Sequence, residues 1–405
     1  MNTPPLPTAC PLAAAVAGLA KRLPRIAPES VPLREAAGRA LAEDLAADRD
    51  SPACDVSAMD GFAFSAAVWS PDRPVRIAGV CAAGSPAAEP GPGEAVRIFT
   101  GAAVPLAADC VVERELAEES EGSVRFTLDD PPQPGRNVRR RGENAAAGSV
   151  VLRAGTLLTP AAMAAIASFA PPQIRVRPPL RVAILNTGDE LVPPGEPVKP
   201  WQIRDSNGPV LEAMIDRLPY AALELRRSVA DDPEQLRLAI DEALRRCDVL
   251  LLTGGVSAGD YDYVPAELER CGVQRSFHRL PLRPGRPIYG GVGPDGQLVC
   301  GLPGNPVSVA VTARRLAIPL MRYKATGEAA ALHGSPLAVP VEDDHHPAPP
   351  LVWFRLVRIG GDGRCTLLAN RGSGDLAALA ASDGFAEWNP FVESPGNGQR
   401  LFYGW

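Results

Sequence analysis

The chain has 405 residues, 46% of them hydrophobic and 22% charged, with a formal net charge of −6. That balance excludes an intrinsically disordered chain, and an acidic protein is not built for broad nucleic-acid binding. The 44 prolines and 38 glycines are about a fifth of the residues, against roughly 12% in an average protein, so turns, loops or edge strands are expected in number and a helical bundle is a poor candidate. At roughly 150 residues per domain, the length predicts two to four domains.

Residues 12–20 are apolar but far short of the roughly 20 that a membrane span needs, and no basic residue precedes them. They predict an amphipathic or buried N-terminal helix near residues 10–23 in a cytoplasmic protein with no membrane partner. Residues 30–33 (SVPL) read as a short strand and residues 34–41 (REAAGRAL) as a short helix. From 73 to 128, short apolar runs such as VRIAGV, AVRIF and SVRFTL alternate with Gly/Pro turns and predict a small β domain. Residues 150–158 read as a strand. Thr159 then caps a helix through Phe169, with Pro160 at its first position and Pro171–Pro172 ending it. Pro178–Pro179 marks a boundary.

Beyond residue 180, strand and helix alternate. Strands are expected at 181–185 (RVAIL), 223–229, 248–252 (DVLLL) and 297–300. Helices are expected from the Asp205–Ser206–Asn207 cap to 218, from Asp231–Asp232–Pro233 to 246, and from about 306 to 323. This rhythm argues for a doubly wound, mostly parallel sheet. Strands return at 337–341, 352–359 and 366–369 in a small C-terminal β domain. The fold class is therefore multidomain α/β plus β: a central doubly wound α/β sheet domain, strand-rich N-terminal domains and a small C-terminal β domain. The boundaries expected are 1–50 with 141–176, an inserted 51–140, then 177–326 and 327–405.

The eight cysteines contain no C-x-x-C pair, which excludes a zinc knuckle or redox dithiol and predicts mostly buried, inert thiols. Asp343–Asp344–His345–His346 reads as a solvated loop, with a metal site as the alternative. The basic run of Arg136, Arg139, Arg140 and Arg141 is either a solvated turn or a local anion contact.

Three expected strands empty into loops of one chemical kind: NTGDE at 186–190, TGGVSAGD at 253–260 and GLPGNP at 301–306. Glycines let backbone N–H groups approach an anion, and the following helix N-termini add a favourable dipole. In open α/β sheets, ligands sit outside the carboxyl ends of the strands, so the three loops predict a phosphate site. No Walker A loop occurs, and none of these three loops reads G-x-G-x-x-G, so neither P-loop chemistry nor nicotinamide dinucleotides are supported. Asp189, Glu190, Asp231, Asp232, Asp260 and Asp262 stand in or beside these loops. Carboxylates beside phosphates call for a bridging divalent ion, by default Mg²⁺; N-capping is the alternative for Asp231–Asp232. Arg279, Arg283 and Arg286, in RLPLRPGRP, suit oxyanion capture.

TGDEL, TGGVSAGDYDY, RPGRP and GLPGNPVS, in this order, together with SAMDGFA at 57–63, IFTGAAVP at 98–105 and RRRGENAAAG at 139–148, resemble the molybdopterin molybdenumtransferase (MoeA) family, to which the gephyrin C-terminal domain belongs. The resemblance runs from about residue 10 to the end. It implies Mg²⁺-dependent insertion of molybdate into adenylylated molybdopterin with release of AMP. It also implies an elongated four-domain subunit in a homodimer, with the site formed by the α/β domain of one subunit and the N-terminal domains of the other. Carried over motif by motif, Asp60 and Thr100 would face the site, Glu190, Asp231 and Asp262 would form the acidic set, and Arg279 and Arg283 the cationic one. Glu190 and Asp262 would hold the metal. Substrate-binding positions would be Thr187, Gly188 and Asp189; Thr253, Gly254, Gly255, Ser257 and Gly259; Arg286; and Pro303, Gly304, Asn305 and Pro306. A molybdopterin adenylyltransferase is a possible partner in the sequence of reactions.

Three departures from the family pattern stand out. Asn144 replaces the usual aspartate in RGEN, arginines replace lysines around RPGRP, and no leucine-proline step follows Ser382–Asp383–Gly384. Alternatives in other classes are a non-catalytic molybdopterin-binding scaffold, a tungstate-inserting paralogue, and the preceding adenylylation step, which a related single α/β domain performs.

Overall fold

The RVAIL run lies in an eight-residue strand, Leu180–Thr187 (β1), whose alternate side chains enter two separate cores: Val182 and Ile184 on one face, Ala183 and Leu185 on the other. A strand buried on both faces needs cover on both, which is why helices flank it on each side. The chain is described here from a computed structural model over residues 10–169, 172–257, 262–342, 350–393, 395–396 and 398–405. Gly259, Asp260 and the Asp343–His346 motif lie outside the described residues.

The sheet continues with β2 (Ala221–Val229), β3 (Val249–Thr253), β4 (Gln274–His278), β5 (Tyr289–Val292) and β6 (Leu298–Leu302), in the order β2-β1-β3-β6-β5-β4. The pairs among β2, β1, β3 and β6 are parallel, while β5 and β4 add an antiparallel edge. The expected doubly wound, mostly parallel sheet is present. The chain leaves β1 for β2 on one side and returns to β3 on the other, so the carboxyl ends of β1 and β3 form the switch point.

Helix α1 (Asn207–Ile215) opens where Asp205 Oδ1 accepts from Gly208 N at 2.9 Å. In α2 (Pro233–Arg246), Asp232 is the cap, accepting from Gln235 N at 2.8 Å with Pro233 at the first position. After α3 (Val264–Arg270), the segment expected at 306–323 runs from Pro306 to Thr326 without a break: α4 (Pro306–Thr312), a π-helical turn at Ala313–Ala317, and α5 (Ile318–Thr326).

By its internal packing the chain divides into two compact units. The first, residues 1–43, 154–160 and 174–405, holds the α/β sheet and a second sheet from the C-terminal region. That second sheet has the order 282–283, 352–359, 384–388, 399–404, 337–340. Its first strand belongs to the arginine segment: Leu282 pairs with Val352 and Arg283 with Trp353, in parallel. The apolar stretch near the N-terminus is a buried helix, Pro11–Ala20, whose Leu12, Val16 and Leu19 join the core under β1, β3 and β6. Among the described residues no helix is long and apolar enough to cross a membrane.

The second unit, residues 44–153 and 161–173, is built on a six-stranded sheet in the order 110–113, 61–64, 94–98, 75–81, 123–126, 117–120. Phe62, Phe64 and Phe126 fill one of its faces, with the Phe64 and Phe126 rings stacked at 4.5 Å. This is the strand-rich region expected between 73 and 128.

Two local expectations are corrected. The helix expected at 34–41 covers only Leu33–Ala36, because Gly38 turns the backbone to φ +77 and Ala40–Leu41 pairs instead with Val176 and Arg177. The strand expected at 150–158 stops at Leu152, where a turn with Gly155 at φ +90 follows.

Candidate functional site

Three carboxyl strand ends, Thr187, Thr253 and Leu302, stand side by side because β1, β3 and β6 are in parallel register. Their loops line one cleft of about 880 Å³ in the first unit. Of the residues expected to bind substrate, Thr187, Gly188, Gly254, Gly255, Ser257, Pro303, Gly304, Asn305 and Pro306 line it, as do Glu190, Asp231 and Asp262 of the acidic set. Thr253 is buried beneath the floor, 1% exposed, and Asp189 lies just behind Asp231.

The loop conformation depends on glycine at two positions. Gly254 and Gly255 both hold positive φ, +85 and +60, and a Cβ on Gly254 would lie 2.5 Å from the Thr187 carbonyl oxygen. Only a residue without a side chain permits that approach between the ends of β1 and β3.

Under the loops lies a buried polar network that sequence reading named only as loop and cap residues. Asn186 Nδ2 donates to Asp205 Oδ2 at 2.7 Å, and Thr253 Oγ1 donates to Asn186 Oδ1 at 3.0 Å. Asn207 Nδ2 donates to the Gly304 carbonyl at 2.7 Å, tying α1 to the GLPGNP loop, while its buried Oδ1, at the cleft wall, has no partner among the described residues. His278 Nε2 lies 2.7 Å from the Val256 carbonyl and holds the TGGVS loop from β4. Neither Asn207 nor His278 carries a motif signal of its own; only the pairing of distant segments reveals their roles.

Three of the four charged residues lining the cleft, all but Arg204, are acidic. Burial pushes the Asp231 carboxyl above its ordinary range; the like charges of Asp189, Glu190 and Asp262 push the same way, and a hydrogen bond with the Asp189 backbone opposes them. Asp231 N also donates to Asp189 Oδ1 at 3.1 Å. Carboxylates held together against their repulsion favour a divalent cation, and an all-oxygen donor set suits Mg²⁺, which needs only one or two carboxylates beside phosphate and water. Among the described residues, no three acidic, histidine or cysteine side chains converge into a complete ligand set. A metal here would therefore take part of its shell from substrate and water.

The three arginines are exposed and lie outside the cleft lining. Arg279 holds a left-handed backbone, φ +64, with its N–H donating to the Ile288 carbonyl at 2.8 Å. Arg283 lines a second cavity, about 600 Å³, together with Trp353, Arg355, Asn370 and Ser373. Its guanidinium stacks on Trp353, 4.9 Å from the ring centre, and Arg355 covers the same ring at 4.7 Å. One loop serves both cavities: Gly372 and Ser373 line the second, while Gly374 and Leu376 line the acidic cleft. Asn305 Nδ2 donates to Ser373 Oγ at 3.0 Å, and Val307 N to the Ser373 carbonyl at 3.0 Å, so this loop is pinned to the start of α4.

In the second unit, Gly61 pairs with Ile98 in antiparallel register, which brings the residues just outside these strands, Asp60 and Thr100, together. Asp60 Oδ1 accepts from both the backbone N–H and the hydroxyl of Thr100, each at 2.8 Å. These bonds, the backbone one foremost, hold the Asp60 carboxyl below its usual range, with Arg114 and Arg97 adding attraction and burial opposing. The basic run is internally neutralised: Arg136 pairs with Glu113, Arg139 with Glu143, Arg140 with Asp55 and Arg141 with Asp50. Asn144 Oδ1 accepts from Arg139 at 2.7 Å, a contact that an amide oxygen keeps without the charge of a carboxylate.

Comparison with known proteins finds matches over most of the chain. Residues 10–170 match the model described as the MoeA N-terminal region (domain I and II), and residues 183–323 match the probable molybdopterin binding domain. A molybdopterin molybdenumtransferase of Synechococcus elongatus is 36% identical over 371 residues, 89% of this chain and 90% of that protein. One from Synechocystis is 30% identical over 97% of this chain and 99% of its own length. Among solved structures, the molybdopterin biosynthesis moeA protein of Pyrococcus horikoshii OT3 aligns with a TM-score of 0.78 at 26% identity, covering 98% of this chain and all of that one.

Proposed function

The chain belongs to the molybdopterin molybdenumtransferase family and is an enzyme of molybdenum cofactor biosynthesis, and from that premise we propose that it inserts molybdate into adenylylated molybdopterin, with Mg²⁺ bound and AMP released. The observation that carries the reading is the acidic cleft at the ends of β1, β3 and β6, which gathers glycine loops and carboxylates around one space while a cavity containing Arg283 shares its partition loop.

The division of labour follows from charge. Backbone N–H groups of the TGGVS and GLPGNP loops receive phosphate oxygens, with the start of α4 adding its dipole. Glu190 and Asp262 would hold the metal, and Asp231, whose carboxyl burial raises above its ordinary range, stands beside them. Bound there, Mg²⁺ would supply charge neutralisation to the phosphate oxygens. Arg283 and the hydroxyl of Ser373 receive the oxyanion in the second cavity, where a planar guanidinium offers bidentate donation. Cleavage of this kind rests on electrostatic stabilisation and positioning, and needs no nucleophilic side chain. The homodimer that the resemblance implies belongs to this proposal, with Asp60 and Thr100 serving from a second copy of the chain.

The test incubates purified protein with adenylylated molybdopterin, Mg²⁺ and either molybdate or tungstate. Oxyanion-dependent AMP release supports insertion, and the faster anion identifies the cargo. ATP consumption, or undiminished cofactor formation by the Glu190→Ala or Asp60→Ala variant, overturns the reading.

A further inference from the structure

The helical segment that starts at the GLPGNP loop carries a second feature some distance along. Its π-helical turn, Ala313–Ala317, interrupts regular hydrogen bonding, an irregularity that recurs at functional sites. Arg314 lies in that turn and lines a cavity of about 360 Å³, wholly within the first unit, that shares no lining residue with the two cavities above.

The walls of this cavity are mostly apolar, with Leu157, Met214, Pro319 and the Trp405 ring among them. Its charge is one-sided. Arg217, Arg314 and Arg322 line it, and among the described residues no aspartate or glutamate does. Arg314 spends Nε on the Gly404 carbonyl, 2.7 Å, and Nη1 on the Gly334 carbonyl, 3.1 Å, which hold the side chain in place without neutralising it. Arg322 reaches Ser335 Oγ at 3.4 Å, and among the described residues its buried Nε has no partner. Tyr220, 5% exposed, also lines the cavity, and among the described residues its hydroxyl has no hydrogen-bond partner. Burial pushes that phenol up to about 12, with Arg322 and Arg314 the charges that oppose the rise. It is therefore a neutral O–H donor at any physiological pH.

A buried donor such as Arg322 Nε costs free energy unless something accepts from it, and the Tyr220 hydroxyl stands ready on the same cavity wall. We propose that this cavity is a binding site for a small amphipathic monocarboxylate, its carboxylate accepting from Arg322, Arg314 and the Tyr220 hydroxyl and its aryl or alkyl body against the apolar wall. The apolar share of the lining selects a single negative charge, because stripping water from a dianion costs far more than from a monoanion. The volume lies in the range that encloses small ligands. The site is independent of the acidic cleft, so its fate does not depend on the proposed insertion reaction.

The test is isothermal titration calorimetry on the full chain with three probes: 4-phenylbutyrate, its neutral counterpart 4-phenylbutanol, and phenyl phosphate. The expected result is saturable binding of one phenylbutyrate per chain, with the alcohol and the phosphate each weaker by about tenfold or more, the worth of a charge-assisted hydrogen bond. Arg322→Met is expected to weaken phenylbutyrate about tenfold. Tyr220→Phe, which removes one oxygen and leaves the ring and the fold in place, is expected to weaken it about threefold or more. Absence of saturable binding up to about 10 mM overturns the proposal, as does equal affinity for acid and alcohol or indifference to both substitutions. Tighter binding of phenyl phosphate overturns the assignment to a carboxylate.

Discussion

Thr100 grips Asp60 twice, its backbone N–H and its hydroxyl both donating to the same carboxylate oxygen at 2.8 Å. The consequence is a carboxylate fixed in direction and kept ionised in a residue that is otherwise exposed. Thr100→Val removes the hydroxyl bond while sparing the backbone one, so the Asp60 carboxyl titrates at higher pH than in the parent chain, and Thr100→Ser restores it. Carbon-detected NMR of the aspartate carboxyl reads both. Equal titration in the valine variant and the parent would show the hydroxyl to be idle.

Glu190 is exposed on the cleft rim, so Glu190→Gln removes charge without touching the core. Thermal stability should stay within about 0.5 kcal/mol of the parent. AMP release should fall by about two orders of magnitude, with excess Mg²⁺ giving partial recovery if the carboxylate serves the metal. A variant with full rate at low Mg²⁺ removes Glu190 from the proposed site.

Asp205, 5% exposed, satisfies two buried donors, Asn186 Nδ2 and the N–H of Gly208. Asp205→Ala strands both, and the expected cost is about 2–4 kcal/mol in chemical denaturation of the first unit. Asp205→Asn keeps one acceptor and falls between the two.

Gly254 and Gly195 separate backbone strain from steric collision. Both hold positive φ, near +85 and +90, but a Cβ on Gly195 would meet nothing within 4 Å, whereas one on Gly254 would strike the Thr187 carbonyl. Gly195→Ala should cost about 1–2 kcal/mol. Gly254→Ala should cost about 2 kcal/mol more, because the rigid ends of β1 and β3 must part. Equal losses would show that the loop relaxes freely.

Burial pushes the thiols of Cys110, Cys247 and Cys300 up to about 12, while Cys54 is exposed. Brief iodoacetamide treatment of the native protein at pH 8 should therefore label Cys54 and leave those three for the unfolded chain. Peptide mass spectrometry distinguishes them.

Much of the α/β region was legible because local pattern and tertiary role coincide there. Past the paired Arg181 and Asp248 that open them, the VAIL and VLLL runs are apolar because β1 and β3 are covered on both faces. The glycine loops follow those runs directly in sequence, so the cleft could be located from strand ends alone. The antiparallel edge was not legible: QRSFH in β4 and YGGV in β5 carry little strand signal and are held by pairing with each other and with β6. Two-residue strands such as Ala40–Leu41 are too short to show a period. The position of Arg283 escaped for a related reason. Its motif pointed to anion capture, but its neighbours Trp353, Arg355 and Ser373 arrive from a distant stretch of chain through sheet pairing and a pinned loop.

That pairing of Leu282–Arg283 with Val352–Trp353 makes the C-terminal sheet a mould for the arginine segment. The two regions cannot drift apart in evolution as a domain and its appendage might. A shortened chain ending after α5 would keep its glycine loops and lose the seat of Arg283 along with one wall of the cavity beside it. A change in the strand at Val352–Ile359 is thus felt at the guanidinium before it is felt at the terminus.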